Sequence, residues 1–598
     1  MTVAMKMTRL LVLLLLLSAF SFATPAPSTL IANIPGRTAT SLNGAWNIII
    51  DPYEAGLNSR YYRNAKPKDK NDLVEYDFDK SPTLNVPGDW NTQNEQLFFY
   101  ENPVWYRRVF TYHKQPGARA FVYFGAANYQ ARVYLNGEKL GEHEGGFTPF
   151  NFEATDLLHD GENFLVVEAN NARHIEDVPT VNTDWWNYGG ITGDVSLVEV
   201  PATFIQDYFV QLSRGSRDQF AGWVQLNGVT SPQPVKLEIP EAKIQQTVTT
   251  DASGRAEFNF SAKLDLWSPE NPKLYDVTLS SGKDKITEQI GFRSIEVQGT
   301  KILLNGRPIF LRGISFHDEA PMRGGRVATL EDAKTLLGWA KELHCNFIRL
   351  PHYPHNEAEI RLADRMGLLI WSEIPVYWNI DWQNAATLAN AESQLRDMIA
   401  RDHNRASVIM WSLSNETPMK PERTAFLKQL ATDARALDST RLLTSALNRT
   451  TPAGPDIRLM DDPIGADLDV LGINEYVGWY EHKPEYADQL QWKVAYDKPV
   501  IMSEFGAAAL AGRHGDADER WTEEYQANVY QHQLMMAQHI PGLAGLTPWC
   551  LADFHSPRRP LPGMQDYYNR KGLISNKGVH KQAFFTLQKF YEEMEAKQ

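Results

Sequence analysis

The chain reads as two β-sandwiches followed by a (β/α)8 barrel. Three observations predict this. The N-terminal half is a series of short strand-like segments broken by turns. After Asn305-Gly306 the rhythm changes to strands alternating with helical stretches. Eight apolar strand candidates then fall within residues 294–598, the count of a closed parallel barrel. The length of 598 residues is too great for one hydrophobic core. The content of 43% hydrophobic and 22% charged residues is that of a soluble globular protein.

Residues 1–23 read as a secretory signal: Lys6 and Arg9, the apolar run Leu10–Leu17, and Ser21-Phe22-Ala23 as a cleavage site. The alternative is a retained anchor, but the run is too short to span a bilayer securely. No Cys follows it, which argues against a lipoprotein. The expectation is an exported protein, periplasmic or secreted. Loss of Lys6 and Arg9 takes the net charge from −14 to −16, which argues against nucleic acid or an anionic membrane as partner. The two cysteines, Cys345 and Cys550, are expected to be buried free thiols, stability coming from cores. Aromatic content of 11% with 16 Trp suits sugar contacts but also large sandwich cores, so it decides nothing alone.

Residues 24–200 carry strand composition at Tyr106–Phe110, Ala120–Phe124, Ala131–Leu135 and Asn163–Glu168. Asn136-Gly137 predicts a hairpin, and the whole reads as a jelly-roll sandwich. Residues 201–293 repeat the pattern at Tyr208–Leu212, Gly222–Leu226 and Leu274–Leu279, the scale of an immunoglobulin-like sandwich. In residues 294–598 the predicted strands are Ile309–Ser315, Asn346–Leu350, Leu368–Ile374, Val408–Ser414, Leu442–Ser445, Leu468–Asn474, Pro499–Glu504 and Ala544–Trp549. The fifth has the weakest pattern. Helices are predicted at Thr329–Leu343, Glu357–Met366, Ser393–Arg401, Pro421–Leu437 and Glu519–His539.

Two glutamates close such strands: Glu416 after Val408-Ile-Met-Trp-Ser-Leu-Ser-Asn, and Glu504 after Pro499-Val-Ile-Met-Ser. Barrel active sites form at the C-terminal ends of strands. One buried Glu there is more often structural. Two, with Asn415 before Glu416, point to the paired carboxylates of glycoside hydrolysis. A separation of about 5–5.5 Å would mean retention and about 6.5–9.5 Å inversion.

With the sandwich–sandwich–barrel order, three segments resemble glycoside hydrolase family 2: Asn346–Pro354, Arg401–Glu416 and Ser503-Glu-Phe-Gly506. The resemblance covers nearly the whole mature chain. It implies Glu416 as acid/base, Glu504 as nucleophile and retention of configuration. Asn415 would bond the sugar 2-hydroxyl, Arg349 would orient the nucleophile and Tyr476 would contact it. Within the family, Asp469–Tyr480 and Asp184–Ile191 look most like the β-glucuronidases. This adds Asp184, His317 and Asn474 as sugar contacts and Trp549 as the platform under the ring. The bland readings are an Asx turn for Asp184, a loop histidine for His317, and barrel packing for Trp549. Asn569-Arg570-Lys571 resembles the element that holds a uronic acid carboxylate. A neutral sugar would leave a desolvated lysine unpaired.

Two positions depart from the family pattern. Gln565 stands where many β-glucuronidases have arginine, with Arg558 and Arg559 as replacement charges, and Leu350-Pro351 replaces a small polar pair. A preference shifted to galacturonides therefore stays open, as do β-galactosides and β-mannosides. A non-catalytic carbohydrate-binding protein is the reading from another class. The implied partner is a uronic-acid-containing oligosaccharide or glycoside, with no metal and no cofactor. Homo-oligomers are common in the family, though no residue here decides that.

Overall fold

The computed structural model describes residues 30–450 and 456–597; the expected signal at residues 1–23 lies outside them. The first sandwich packs a six-stranded sheet on a four-stranded one. Pro103–Tyr112 and Gly161–Asn170 pair antiparallel at the centre of the larger sheet. Trp46, Ile48, Val122, Phe124, Val133 and Leu165 fill the space between the sheets. Asn136 and Gly137 both adopt positive φ, 53° and 85°, joining Leu135 directly to its partner Glu138. Two such residues define the type I′ turn that Asn-Gly favours.

The second sandwich sets three strands against four. Its edge strand Asp284–Ile290 alternates buried and exposed residues along its length, as one solvated face demands. Val224, Leu237, Val277 and Ile286 are among its core residues.

Eight parallel strands close the barrel: β1 Leu311–Ser315, β2 Phe347–Leu350, β3 Leu369–Glu373, β4 Val408–Asn415, β5 Leu442–Leu447, β6 Leu471–Asn474, β7 Val500–Glu504 and β8 Leu543–Leu546. Six helices surround it: α1 Leu330–Glu342, α2 Glu357–Met366, α3 Ala385–Asp402, α4 Pro421–Leu437, α5 Glu523–Ala537 and α6 Gln582–Glu595. Some boundaries differ from the sequence reading. α3 starts earlier because Asn384 caps it, accepting from Ala386 N at 2.8 Å. α5 starts later, at the cap Thr522, which accepts from Tyr525 N at 3.0 Å. β8 stops before Pro548, which has no N–H to offer the ladder, so Trp549 lies just beyond the strand. α6 was not anticipated; it is tied to β1 by Tyr591 OH donating to Gly313 O at 2.7 Å. Among the described residues the connections after β5 and β6 hold no α-helix; they carry the 3-10 turns Pro463–Ala466 and Pro484–Gln489 and the short strands Ile457–Met460 and Gln491–Val494, which pair parallel with each other. Cys345 and Cys550 are buried and unbridged.

Candidate active site

Both glutamates reach the C-terminal rim of the barrel. β4 is buried along its whole length and delivers Asn415 as its last residue, with Glu416 next at φ 49°. A non-glycine residue held left-handed costs on the order of 1–3 kcal/mol, and such strain gathers at functional sites. The Glu416 carboxylate accepts from Trp378 Nε1 at 2.9 Å and from Asn474 Nδ2 at 3.1 Å.

Glu504 ends β7 and is held on both oxygens. Arg349 Nη1 donates to Oε1 and Tyr476 OH to Oε2, each at 2.7 Å. Arg349 is fully buried at the end of β2, and its fork also reaches Glu373 at 3.1 Å and Asn415 Oδ1 at 2.7 Å. With its oxygen committed, Asn415 keeps a buried Nδ2 that has no partner among the described residues. That is the donor a substrate hydroxyl would need.

The electrostatics split the carboxylates. Burial pushes Glu504 above the usual carboxylate range, and Glu416 adds to the rise, while Arg349, His352 and Tyr476 pull against it. Burial also opposes ionisation of Glu373, but there Arg349 and His352 win and lower the group to about 2. Glu373 accepts further bonds from Trp371 Nε1 and Ser412 Oγ, both at 2.9 Å. It is an anion at neutral pH, paired with Arg349.

A second cluster forms where the first sandwich meets the loop after β8. Asp184 accepts from Ser556 Oγ, Arg559 Nη2 and, at 3.4 Å, Asn569 Nδ2. Lys571 is 3% exposed, yet among the described residues it has no ion-pair partner. Its Nζ donates to Tyr480 OH at 2.8 Å and lies 4.8 to 5.7 Å from the ring centres of Tyr476, Trp479 and Tyr480. Burial would raise the Tyr480 phenol, but Lys571 and Arg559 overrule it and hold it below its usual value. Tyr476 and Tyr480, with ring centres 5.3 Å apart, join this cluster to the glutamate cluster.

The remaining predicted residues line the same mouth. Trp549 stacks on His352 with ring centres 5.1 Å apart. His317 lies edge-on to Trp549 at 5.3 Å. Its Nδ1 meets Tyr353 OH at 3.1 Å, while the buried Nε2 has no partner among the described residues. Burial, reinforced by His352, His355, Arg326 and Arg349, keeps the His317 ring neutral. Asn474, expected as a sugar contact, lies at the same mouth; its Nδ2 donates to Glu416 Oε1 at 3.1 Å and its Oδ1 accepts from Ser503 Oγ at 2.8 Å. Beyond His317, Asp318, His355 and Glu359 bring ligand-type atoms within 4.8 Å of one another. Arg326 Nη2, 2.7 Å from Asp318, supplies the positive charge there.

Glu373, Trp378, His352, Tyr480 and Ser556 were not singled out from the sequence. Glu373 carried a readable signal, a third apolar strand ending in a carboxylate. Trp378 carried none, because its place beside Glu416 depends on a positive φ of 53° and a bond from its N–H to Asn415 O at 3.0 Å.

An eight-stranded barrel with two rim glutamates, each held by its own donors, defines the class as glycoside hydrolases. The "Glycosyl hydrolases family 2, TIM barrel domain" matches residues 295–596, the family's "sugar binding domain" residues 39–201, and a third family domain residues 203–293. The chain belongs to glycosyl hydrolase family 2 and is a glycoside hydrolase. A "Beta-glucuronidase" of Paenibacillus borealis is 28% identical over 93% of this chain and 97% of its own length. The structure of Bifidobacterium dentium beta-glucuronidase complexed with coumarin-3-O-glucuronide superposes with TM-score 0.80 and 25% identity, over 95% of this chain and 98% of that one. A beta-galacturonidase of the same family from Eisenbergiella tayi shares the fold, with TM-score 0.79 and 23% identity over 93% of this chain and 96% of that one.

Proposed function

We propose that the chain is an exo-acting, retaining β-glucuronidase. The observation that carries this reading is Lys571, a buried ammonium with no carboxylate partner among the described residues. A buried charge is normally paired, because its desolvation is not recovered otherwise. The C6 carboxylate of a uronic acid is the missing anion. Lys571 would bind it as a charge-assisted donor, with Asn569 and the Tyr480 hydroxyl beside it. Arg559 bears on the Gln565 departure: its guanidinium is on Asp184 and 3.3 Å from Tyr480 OH, adding a second cation to the same end of the pocket.

In this reading the Glu504 carboxylate attacks the anomeric carbon. The bond to the leaving oxygen breaks as Glu416 transfers its proton to that oxygen. Glu416 then removes a proton from water, whose oxygen displaces Glu504 with a second inversion. The Asn415 amide donor would bond the 2-hydroxyl and Trp549 would lie under the ring. Two carboxylates suffice, so no metal or cofactor enters the steps. Export through residues 1–23 belongs to the same proposal.

The same chemistry on β-galacturonides is the second reading, because Gln565 alters the arginine otherwise found in β-glucuronidases. Aryl β-glucuronide, β-galacturonide and β-galactoside assayed side by side distinguish the readings. We expect hydrolysis of the glucuronide above both others. Lys571→Ala should lower kcat/KM on the uronide by roughly 100-fold, the worth of a charge-assisted contact in a desolvated site. An equal loss on uronide and galactoside would overturn the assignment of Lys571.

A further inference from the structure

We infer that the leaving-group side of the site is built to receive an anionic unit, so that the substrate is a uronide attached to a second sugar bearing a carboxylate or sulfate. This rests on the uronide reading and extends it to the other side of the glycosidic bond.

Adjacent residues Arg558 and Arg559 take different partners at the mouth. Arg559 points into the sugar pocket, onto Asp184 and Tyr480. The Arg558 guanidinium instead lies over the Trp378 indole, 4.8 Å from the ring centre. Trp378 Nε1 in turn donates to Glu416 Oε2 at 2.9 Å. Glu416 is the group assigned to protonate the leaving oxygen. Trp378 and Arg558 therefore stand beside the carboxylate assigned to the leaving oxygen, on the side where the group it carries would lie.

Arg558 is held for this purpose. Its Nη1 donates to Asn182 Oδ1 at 2.6 Å and its backbone N–H to Ser556 Oγ at 3.2 Å. The contact with the indole and the bond to Asn182 hold the guanidinium in place, so less ordering remains to be done on binding. The partners are neutral: no carboxylate forms an ion pair with Arg558 among the described residues. Most donors of the fork are left for a ligand, and planar donors of this kind match a carboxylate or a sulfate. The indole is half-buried while Arg558 is exposed, so the pair borders the pocket from outside.

The test compares substrates that share one terminal β-uronide and differ in the next sugar: neutral, uronic acid or sulfated. kcat/KM is measured for wild type, Arg558→Ala and Arg558→Lys, and the readout is the anionic-to-neutral ratio within each protein. Wild type should favour the anionic substrates about tenfold at low salt, the worth of one charge-assisted contact near the surface. High salt should shrink that ratio. Arg558→Ala should bring it to about one, and Arg558→Lys should restore part of it, since the charge returns without the fork. The uronic and sulfated arms say which anion is preferred. A ratio unchanged in Arg558→Ala, or a wild type that prefers the neutral substrate, would overturn the inference. If wild type cleaves none of the uronides, nor the aryl uronides, the reading of the terminal sugar fails instead, so the two failures are told apart.

Discussion

As the proposed nucleophile Glu504 would have to be ionised to attack, yet its burial and its neighbour Glu416 both disfavour ionisation. Arg349 at 2.7 Å and Tyr476 at 2.7 Å keep the charge tolerable. The direction of the shift sets the sign of the pH dependence. The free enzyme loses its nucleophile as pH falls through a folded-state value above the ordinary glutamate range of about 4.3. The acid limb of kcat/KM should therefore lie above that range. Replacing Arg349 by Met withdraws the main opposing charge and should move the limb upward by about one unit or more, whereas Arg349→Lys should move it less. A pH–rate profile of the three proteins checks this, and a limb that stays in place or moves down would contradict the assignment of Arg349. At this scale much of the site was legible. Glu416, Glu504, Arg349 and Tyr476 were marked by strand ends and motif, and they do meet in the structure. Arg559 and Trp378 are different. Their roles come from loop paths that bring distant residues such as Asp184 and Glu416 beside them, and no local pattern encodes such paths.

The strands explain why the residues arrive where they do. Each of β3, β4 and β7 is an apolar run followed by a glutamate at the rim, but only Glu373 is saturated by protein donors: Arg349, His352, Trp371 and Ser412. The structural glutamate is thus told from the reactive pair by its partners, and a sequence pattern holds no such information. Glu373→Gln leaves Arg349 with one anion fewer in a fully buried setting. Removing one partner of a buried pair typically costs about 3–5 kcal/mol, and a loss of that order is expected in denaturant unfolding near pH 7. Because the folded-state value of Glu373 is depressed to about 2, its contribution is present above the unfolded value and lost as pH falls toward 2. The gap between wild type and variant should therefore narrow between about pH 4 and pH 2. A gap independent of pH would show that packing, not charge, is what Gln disturbs. All eight barrel strands were readable, because buried parallel strands are nearly continuous apolar runs. The boundaries of α3 and α5 were less so, since single capping residues set them. The lack of an α-helix among the described residues after β5 and β6 had no signal beyond the prolines at Pro463 and Pro484.

Across the whole molecule, the segment before β4 joins domains. Of Arg401-Asp-His-Asn-Arg405, part of the family-like motif that ends in Glu416, three residues contact the second sandwich. Asn404 Oδ1 accepts from Val210 N at 2.9 Å and its Nδ2 donates to Tyr208 O at 2.8 Å. His403 Nε2 is 2.9 Å from that same Tyr208 oxygen. Arg405 pairs with Glu288 at 2.7 Å, and Glu288 also accepts from Tyr208 OH at 2.6 Å and pairs with Arg361 at 2.9 Å. The motif is therefore two motifs in one run, a docking end and a catalytic end, joined by β4. On the other side, Tyr188 OH to His555 Nδ1 at 2.9 Å and Trp186 N to His555 O at 3.0 Å fasten the first sandwich to the loop after β8, next to Asp184. The sandwiches thus act on the site by different routes: the first supplies Asp184 directly, and the second only braces the barrel behind β4. This separation yields a prediction. Glu288→Ala leaves Arg405 with Asp364 and Arg361 with Glu357, removes one shared anion and the acceptor of Tyr208 OH from a buried seam, and should lower unfolding stability by about 1–3 kcal/mol. It touches nothing that meets substrate, so at temperatures where the variant stays folded its KM should change little. Thermal unfolding followed by calorimetry, with KM measured well below the transition, checks both halves. A normal transition would mean the seam holds without its ion cluster. A large rise in KM with stability intact would mean that the second sandwich reaches the pocket through β4 after all.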